Sequence, residues 1–187
     1  MGYTHYFKQN KPVDDQTWQK IINDCKKIVD NLKNELPSIK LGSDDPNGVM
    51  FNSERINLND IHFGHETFYL PKKDLNFNFC KTAQKPYDLA VCCMLLIVHH
   101  HAPDYYDISS DGTSEDWSVA IDFNARTLGY AYKFPPSLQD YDSPDIESDA
   151  QQVAQTFFPE QNKMIVSNVQ EIKKSDNDEP ISRRFNF

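Results

Sequence analysis

No stretch of this sequence stays apolar for the roughly 18 residues that a membrane-spanning helix requires, and the mean hydropathy is −0.68. Positive charge is scarce as well: 19 Lys plus Arg stand against 28 Asp plus Glu, a formal net charge of −9. The basic footprint that accompanies duplex nucleic acid is therefore missing. Neither a membrane nor duplex nucleic acid is expected as a partner. Cysteines are few, and Cys25, Cys80, Cys92 and Cys93 form no C-x-x-C pair. Two are adjacent inside an apolar run, so all four are expected to be reduced core residues. Residues 1–6 have neither the charged nor the apolar segment of a secretory leader, and Tyr6 stands where myristoylation needs Ser or Thr. The expected location is cytoplasmic. No Gly-rich turn precedes Lys81, no G-x-S-x-G elbow surrounds a serine, and no repeat or heptad is visible.

What is present suits one domain with an appendage. Residues 3–7 are aromatic-rich and read as a strand. After Pro12, Trp18, Ile21, Ile22, Cys25, Ile28, Val29 and Leu32 recur at helical spacing, with Asp14 or Asp15 as cap and a stop before Pro37. Residues 43–59 are rich in Asp, Asn, Gly and Ser, with apolar patches at 49–51 and 56–58 that suggest a loop and a weak hairpin. Residues 65–70 and 77–82 read as strands joined by a turn at 71–74, expected to pair with each other. The ten apolar residues at 89–98 are too many for a typical strand and indicate a buried helix. A strand at 105–109, a turn at Asp111-Gly112 and a capping box at 113–116 follow, opening a helix that Gly129 can end. The expected fold is α+β, a mostly antiparallel sheet with three packed helices at 15–35, 87–101 and 114–128, in a core domain of residues 1–130. Residues 131–187 hold five of the eleven prolines and read as an acidic appendage, with short elements at 149–158 and 164–172.

Candidate chemistry comes from strand parity and helix ends. If Phe68 and Leu70 face the core, so does Glu66, and if Phe77 and Phe79 face it, so does Lys81. In a hairpin the two would form a partly buried ion pair. Lys81, Thr82 and Lys85 precede the buried helix, whose start could hold a phosphate or carboxylate. His62 and His65 beside Glu66, and His99 to His101, form two histidine clusters. Neither has the spacing of a ligand set, so no metal is expected. Ser110 and Asp111 could serve a pocket or simply turn the chain.

The blocks at residues 1–7, His65-Glu66-Thr67-Phe68, Phe79-Cys80-Lys81-Thr82-Ala83 with Lys85-Pro86-Tyr87-Asp88, and Ser109-Ser110-Asp111-Gly112 with Trp117 together resemble a family of small uncharacterised proteins of phages and bacteria. The resemblance covers about residues 1–130 and implies no activity. It does pick out His5, His65, Glu66, Lys81, Thr82, Lys85, Asp88, Ser110 and Asp111 as polar positions that packing alone would not choose. If the strands and the two helix starts meet at one edge, these groups could line one pocket. Three functional expectations follow. The first is binding of a small anionic ligand, a nucleotide or phosphorylated metabolite, through Lys81, Thr82, Lys85, His65, Glu66, Ser110 and Asp111, with no cofactor. The second is a phage-type inhibitor module that binds a protein partner. The third is a hydrolase-like enzyme built on a carboxylate and histidine pair, Glu66 or Asp111 with His65.

Overall fold

The computed structural model describes residues 2–138; the elements expected at 149–158 and 164–172 lie outside the described residues. The long helix α1, Asp15–Glu35, starts where the Asp14 side chain accepts the Thr17 backbone N–H at 2.9 Å. Its Trp18, Ile21, Ile22, Cys25, Ile28, Val29 and Leu32 are buried, and it ends at Leu36, the residue that Pro37 excludes from helical geometry. Helix α2, Asp88–His101, is buried along its whole run from Ala90 to Val98 and packs against both α1 and α3. Helix α3, Ser114–Leu128, opens on the reciprocal capping box of Thr113 and Asp116 and closes on Gly129, which is left-handed at φ 76°.

Among the described residues, the strands divide into two antiparallel three-stranded sheets. In the first, β1 (Thr4–Gln9) lies between β5 (Phe77–Lys81) and β6 (Tyr106–Ser110), with His5 opposite Cys80 on one side and Ser110 on the other. In the second, β3 (Arg55–Asp60) lies between β2 (Leu41–Gly42) and β4 (Phe68–Pro71). Phe7 and Phe68 join the sheets, ring to ring at 5.4 Å. Full burial of two such side chains contributes about 2 to 3 kcal/mol each.

The hairpin expected between 65–70 and 77–82 does not form, because β4 pairs with β3 and β5 with β1. Pro71 ends β4 without an N–H to extend the ladder. The buried Gln9 then captures the crossing chain: its amide donates to the Lys72 carbonyl at 2.7 Å and accepts the Asp74 N–H at 2.7 Å. The weak hairpin expected from 49–51 and 56–58 is reduced to one bridge, Phe51 with Ile56, since β3 finds its main partners in β2 and β4. Among the described residues, no helix is long and apolar enough to cross a membrane.

Candidate functional site

Alternation along β1 turns His5, Phe7 and Gln9 inward, all buried, while Lys8 faces out. His5 is fully buried. An imidazole in that position needs partners for both ring nitrogens. Ser110 supplies one, its Oγ standing 3.0 Å from His5 Nδ1, because the β6 register places it directly across. Asp88, first residue of α2, supplies the other, with Oδ1 at 2.8 Å from Nε2. Cys92, one helical turn further along α2, brings its Sγ to 3.7 Å from Nε2 and 3.8 Å from Asp88 Oδ2.

The surrounding groups hold this arrangement in place. Tyr3 and Trp117 each meet the His5 ring edge-on, with centroids at 5.3 and 5.2 Å. Gly112 permits the approach of Tyr3, because a Cβ there would lie 2.0 Å from the Tyr3 oxygen. Ala83 and Gln84 connect β5 to α2 in left-handed conformations, at φ 52° and 53°. That costs on the order of 1 to 2 kcal/mol per residue for side chains other than glycine. The turn leaves Thr82 fully buried, with its hydroxyl donating to Asp88 Oδ1.

Protons can be placed so that each link of this network is made. The Gly112 N–H donates to Ser110 Oγ at 3.0 Å, and with His5 protonated on Nε2 alone the serine hydroxyl donates to Nδ1. Nε2–H then donates to Asp88, whose Oδ1 also accepts from Thr82. Burial pushes the Cys92 thiol well above its ordinary range, and the Asp88 charge adds to that shift. Burial likewise pushes the Tyr3 phenol up. Both remain protonated near neutrality.

The residues expected from the sequence separate into four groups. Thr82 and Ser110 join His5 and Asp88 at this centre. Asp111 sits at its rim, exposed, accepting the Thr4 backbone N–H at 3.0 Å and the Tyr6 hydroxyl at 3.1 Å. Glu66 and Lys81 meet, although through the backbone: Glu66 Oε2 accepts the Lys81 N–H at 2.8 Å, and the Lys81 carbonyl accepts the Glu66 N–H at 3.2 Å. The expected ion pair does not form, because Lys81 shares the outward parity of Phe77 and Phe79 and its side chain lies over Gly2. His65 and Lys85 are exposed and stand apart from the buried network. Cys92 and Tyr3 were outside the expected set. The i, i+4 spacing of Asp88 and Cys92 on one apolar helix is the signal that could have included the thiol.

A second feature lies on the outer face of the β5–β1–β6 sheet. Phe77 and Phe79 are 60 % and 56 % exposed, and Tyr6 stacks on Phe77 at 6.0 Å. No protein-family model, curated protein or solved structure matches the chain.

Proposed function

We propose that the protein is a hydrolase-like enzyme in which Ser110 is the nucleophile, His5 the general base and Asp88 the group that orients His5. The observation that carries this reading is the unbroken relay from Ser110 Oγ through both nitrogens of His5 to Asp88, with links of 3.0 and 2.8 Å. A serine hydroxyl is a weak nucleophile until a neighbouring base takes its proton, and the base works best when a third group fixes its tautomer. Here Nδ1 faces the nucleophile and Nε2 the carboxylate, and the logic of the relay is unchanged by which nitrogen takes which role. Ser110 Oγ would attack the electrophilic atom of an ester or similar substrate as its proton moves to Nδ1. His5 would return that proton to the leaving group, and water would then release the product. Ser110 is partly exposed while His5 is fully buried, so the serine lies nearer to solvent than its base does.

The alternative of an anion site at Lys81, Thr82 and Lys85 has less support. Thr82 commits its hydroxyl to Asp88, and the Asp88 carboxylate at the first turn of α2 opposes a second negative charge there. A partner-binding role has one observation in its favour, the exposed Phe77 and Phe79 beside Tyr6, since contiguous apolar patches mark interaction surfaces. Replacing both phenylalanines with serine should abolish any such association without touching Ser110 chemistry.

The test of the enzymatic reading is covalent labelling of the full chain by a fluorophosphonate, followed by peptide mass mapping. Ser110 Oγ should displace fluoride and carry the phosphonyl group. Ser110→Ala should lose the label and Ser109→Ala should keep it, while His5→Gln should slow labelling by about 100-fold or more. Labelling of Ser110→Ala at the rate of the unsubstituted protein would end the proposal.

A further inference from the structure

The Ser110 relay leaves Cys92 without a task, although its sulfur is placed against the same nitrogen and the same carboxylate. His5 Nε2, an Asp88 carboxylate oxygen and Cys92 Sγ all lie within 4.8 Å of one another. The individual separations are 2.8 Å from nitrogen to oxygen, 3.7 Å from nitrogen to sulfur and 3.8 Å from sulfur to the second oxygen. Ligands bound at about 2.0 to 2.3 Å around a tetrahedral zinc ion stand roughly 3.3 to 3.6 Å apart. The two sulfur separations are already near that edge length, and the Nε2–Oδ1 hydrogen bond gives way when Oδ2 takes the ion.

We propose that His5, Asp88 and Cys92 form a binding site for a zinc-type divalent cation. Four features of the arrangement support it. The first is rigidity: Asp88 and Cys92 project from one face of the fully packed helix α2, and His5 comes from the central strand of its sheet. The second is the donor set. Thiolate, imidazole and carboxylate together suit zinc and its congeners, whereas magnesium and calcium require oxygen donors throughout.

The third is the surrounding hydrogen bonding. Asp88 Oδ1 accepts from Thr82, while Oδ2 faces Cys92, so the carboxylate can give one oxygen to the ion and keep the other on the threonine. His5 Nδ1 lies 3.0 Å from Ser110 Oγ, and a ligating imidazole characteristically donates its other N–H to such a group. The fourth is access. His5 is buried, but the Asp88 side chain is 20 % exposed, so the ligand set reaches solvent at the N-terminal end of α2. Three protein ligands leave one tetrahedral position for water or an exogenous anion.

Loading the site moves protons in a defined way. Cys92 loses its thiol proton to solvent. His5 keeps one proton but shifts it from Nε2 to Nδ1, where it points at Ser110. The inference does not rest on the hydrolytic reading, and the two occupy His5 in opposite tautomers.

Cobalt(II) is the probe, titrated into the full-length protein under reducing conditions and followed by absorption. Binding should saturate at one ion per chain and produce a thiolate-to-cobalt charge-transfer band with tetrahedral d–d bands. Cys92→Ala should remove the charge-transfer band. Cys80→Ala should leave it intact, and zinc should displace the cobalt. Thr82→Val, which keeps the side-chain shape, should weaken binding by about 10- to 100-fold. Ser110→Ala removes the partner of His5 Nδ1 and should weaken binding to a similar extent while keeping the charge-transfer band, which separates this outcome from the fate of the hydrolase reading. Should Cys92→Ala fail to fold, Asp88→Asn carries the same decision through a large loss of affinity. Absence of the charge-transfer band in the unsubstituted protein, or its survival in Cys92→Ala, would overturn the site.

Discussion

Asp88 bears more of this centre than any other residue, and its removal has a calculable effect. Its carboxylate accepts from His5 Nε2 at 2.8 Å and from the Thr82 hydroxyl. Both donors are fully buried, so Asp88→Ala leaves two polar groups without partners. Each stranded group costs about 1 to 3 kcal/mol. Water entering at the exposed edge of position 88 can replace one partner, which brings the expected destabilisation to about 3 kcal/mol. Asp88→Asn is the control. Its carbonyl oxygen can still accept from both donors, so only the favourable charge at the start of α2 and the charge-assisted part of the bonds are lost. That should amount to about 1 kcal/mol. Urea denaturation followed by tryptophan fluorescence measures both, and comparable m-values for the three proteins would confirm that the same transition is being read. An Asp88→Ala protein within about 0.5 kcal/mol of the parent, or no less stable than Asp88→Asn, would refute the buried hydrogen-bond network.

Two other substitutions probe different parts of the structure. Gly112→Ala places a Cβ 2.0 Å from the Tyr3 oxygen and must displace that ring from His5. A loss of about 2 kcal/mol is expected, seen by calorimetry as a fall in Tm of roughly 5 to 10 °C; an unchanged Tm would mean that Tyr3 does not cover Gly112. Burial lowers the pKa of His99 below the ordinary imidazole value of 6.5, against the opposing charge of Asp104. The unfolded chain therefore takes up this proton first as pH falls, and stability is lost from about pH 6.5 downward through the folded-state value. Denaturation midpoints measured from pH 7.5 to 5 should fall less steeply in His99→Gln, and parallel profiles would contradict the desolvation of His99.

The helices were legible because each announces itself locally. Apolar periodicity defined α1, the uninterrupted apolar run defined α2, and the Thr113–Asp116 box with Gly129 bounded α3. Strand partners were not, because pairing is chosen by distant residues. Nothing within 65–82 reveals that Gln9 will hold Lys72 and Asp74 and thereby send β4 and β5 to different sheets. The expected Glu66–Lys81 ion pair failed for the same reason. It assumed a shared hairpin face, whereas Lys81 follows the register of β1 and points outward with Phe77 and Phe79. Thr82 and Ser110 were within reach of sequence reasoning because both belong to motif blocks that end at strand termini. Their shared partners were not, since His5 lies 83 residues from Asp88 and 105 from Ser110, and only the register of β1 with β6 and the start of α2 turn a general convergence into these contacts.

What unites the centre is the His5 ring, which in its neutral form carries one proton on either of two nitrogens that face different partners. With that proton on Nε2, the ring leans on Asp88 and Nδ1 is free to take a proton from Ser110, which is the state a nucleophilic serine needs. With it on Nδ1, the Nε2 lone pair faces Asp88 and Cys92, and Ser110 becomes an acceptor that cannot be activated by the same ring. The two states compete for one imidazole, so a cation at Asp88 and Cys92 must suppress Ser110 reactivity in proportion to its occupancy. Cys92→Ala removes the competitor and leaves the relay intact, and Ser110→Ala removes the nucleophile and leaves the three cation ligands in place. Fluorophosphonate labelling of the parent should therefore fall as zinc is added, while labelling of Cys92→Ala should stay constant over the same range. Labelling that is equally sensitive to zinc in both proteins would show that the ion acts elsewhere and that His5 is not shared.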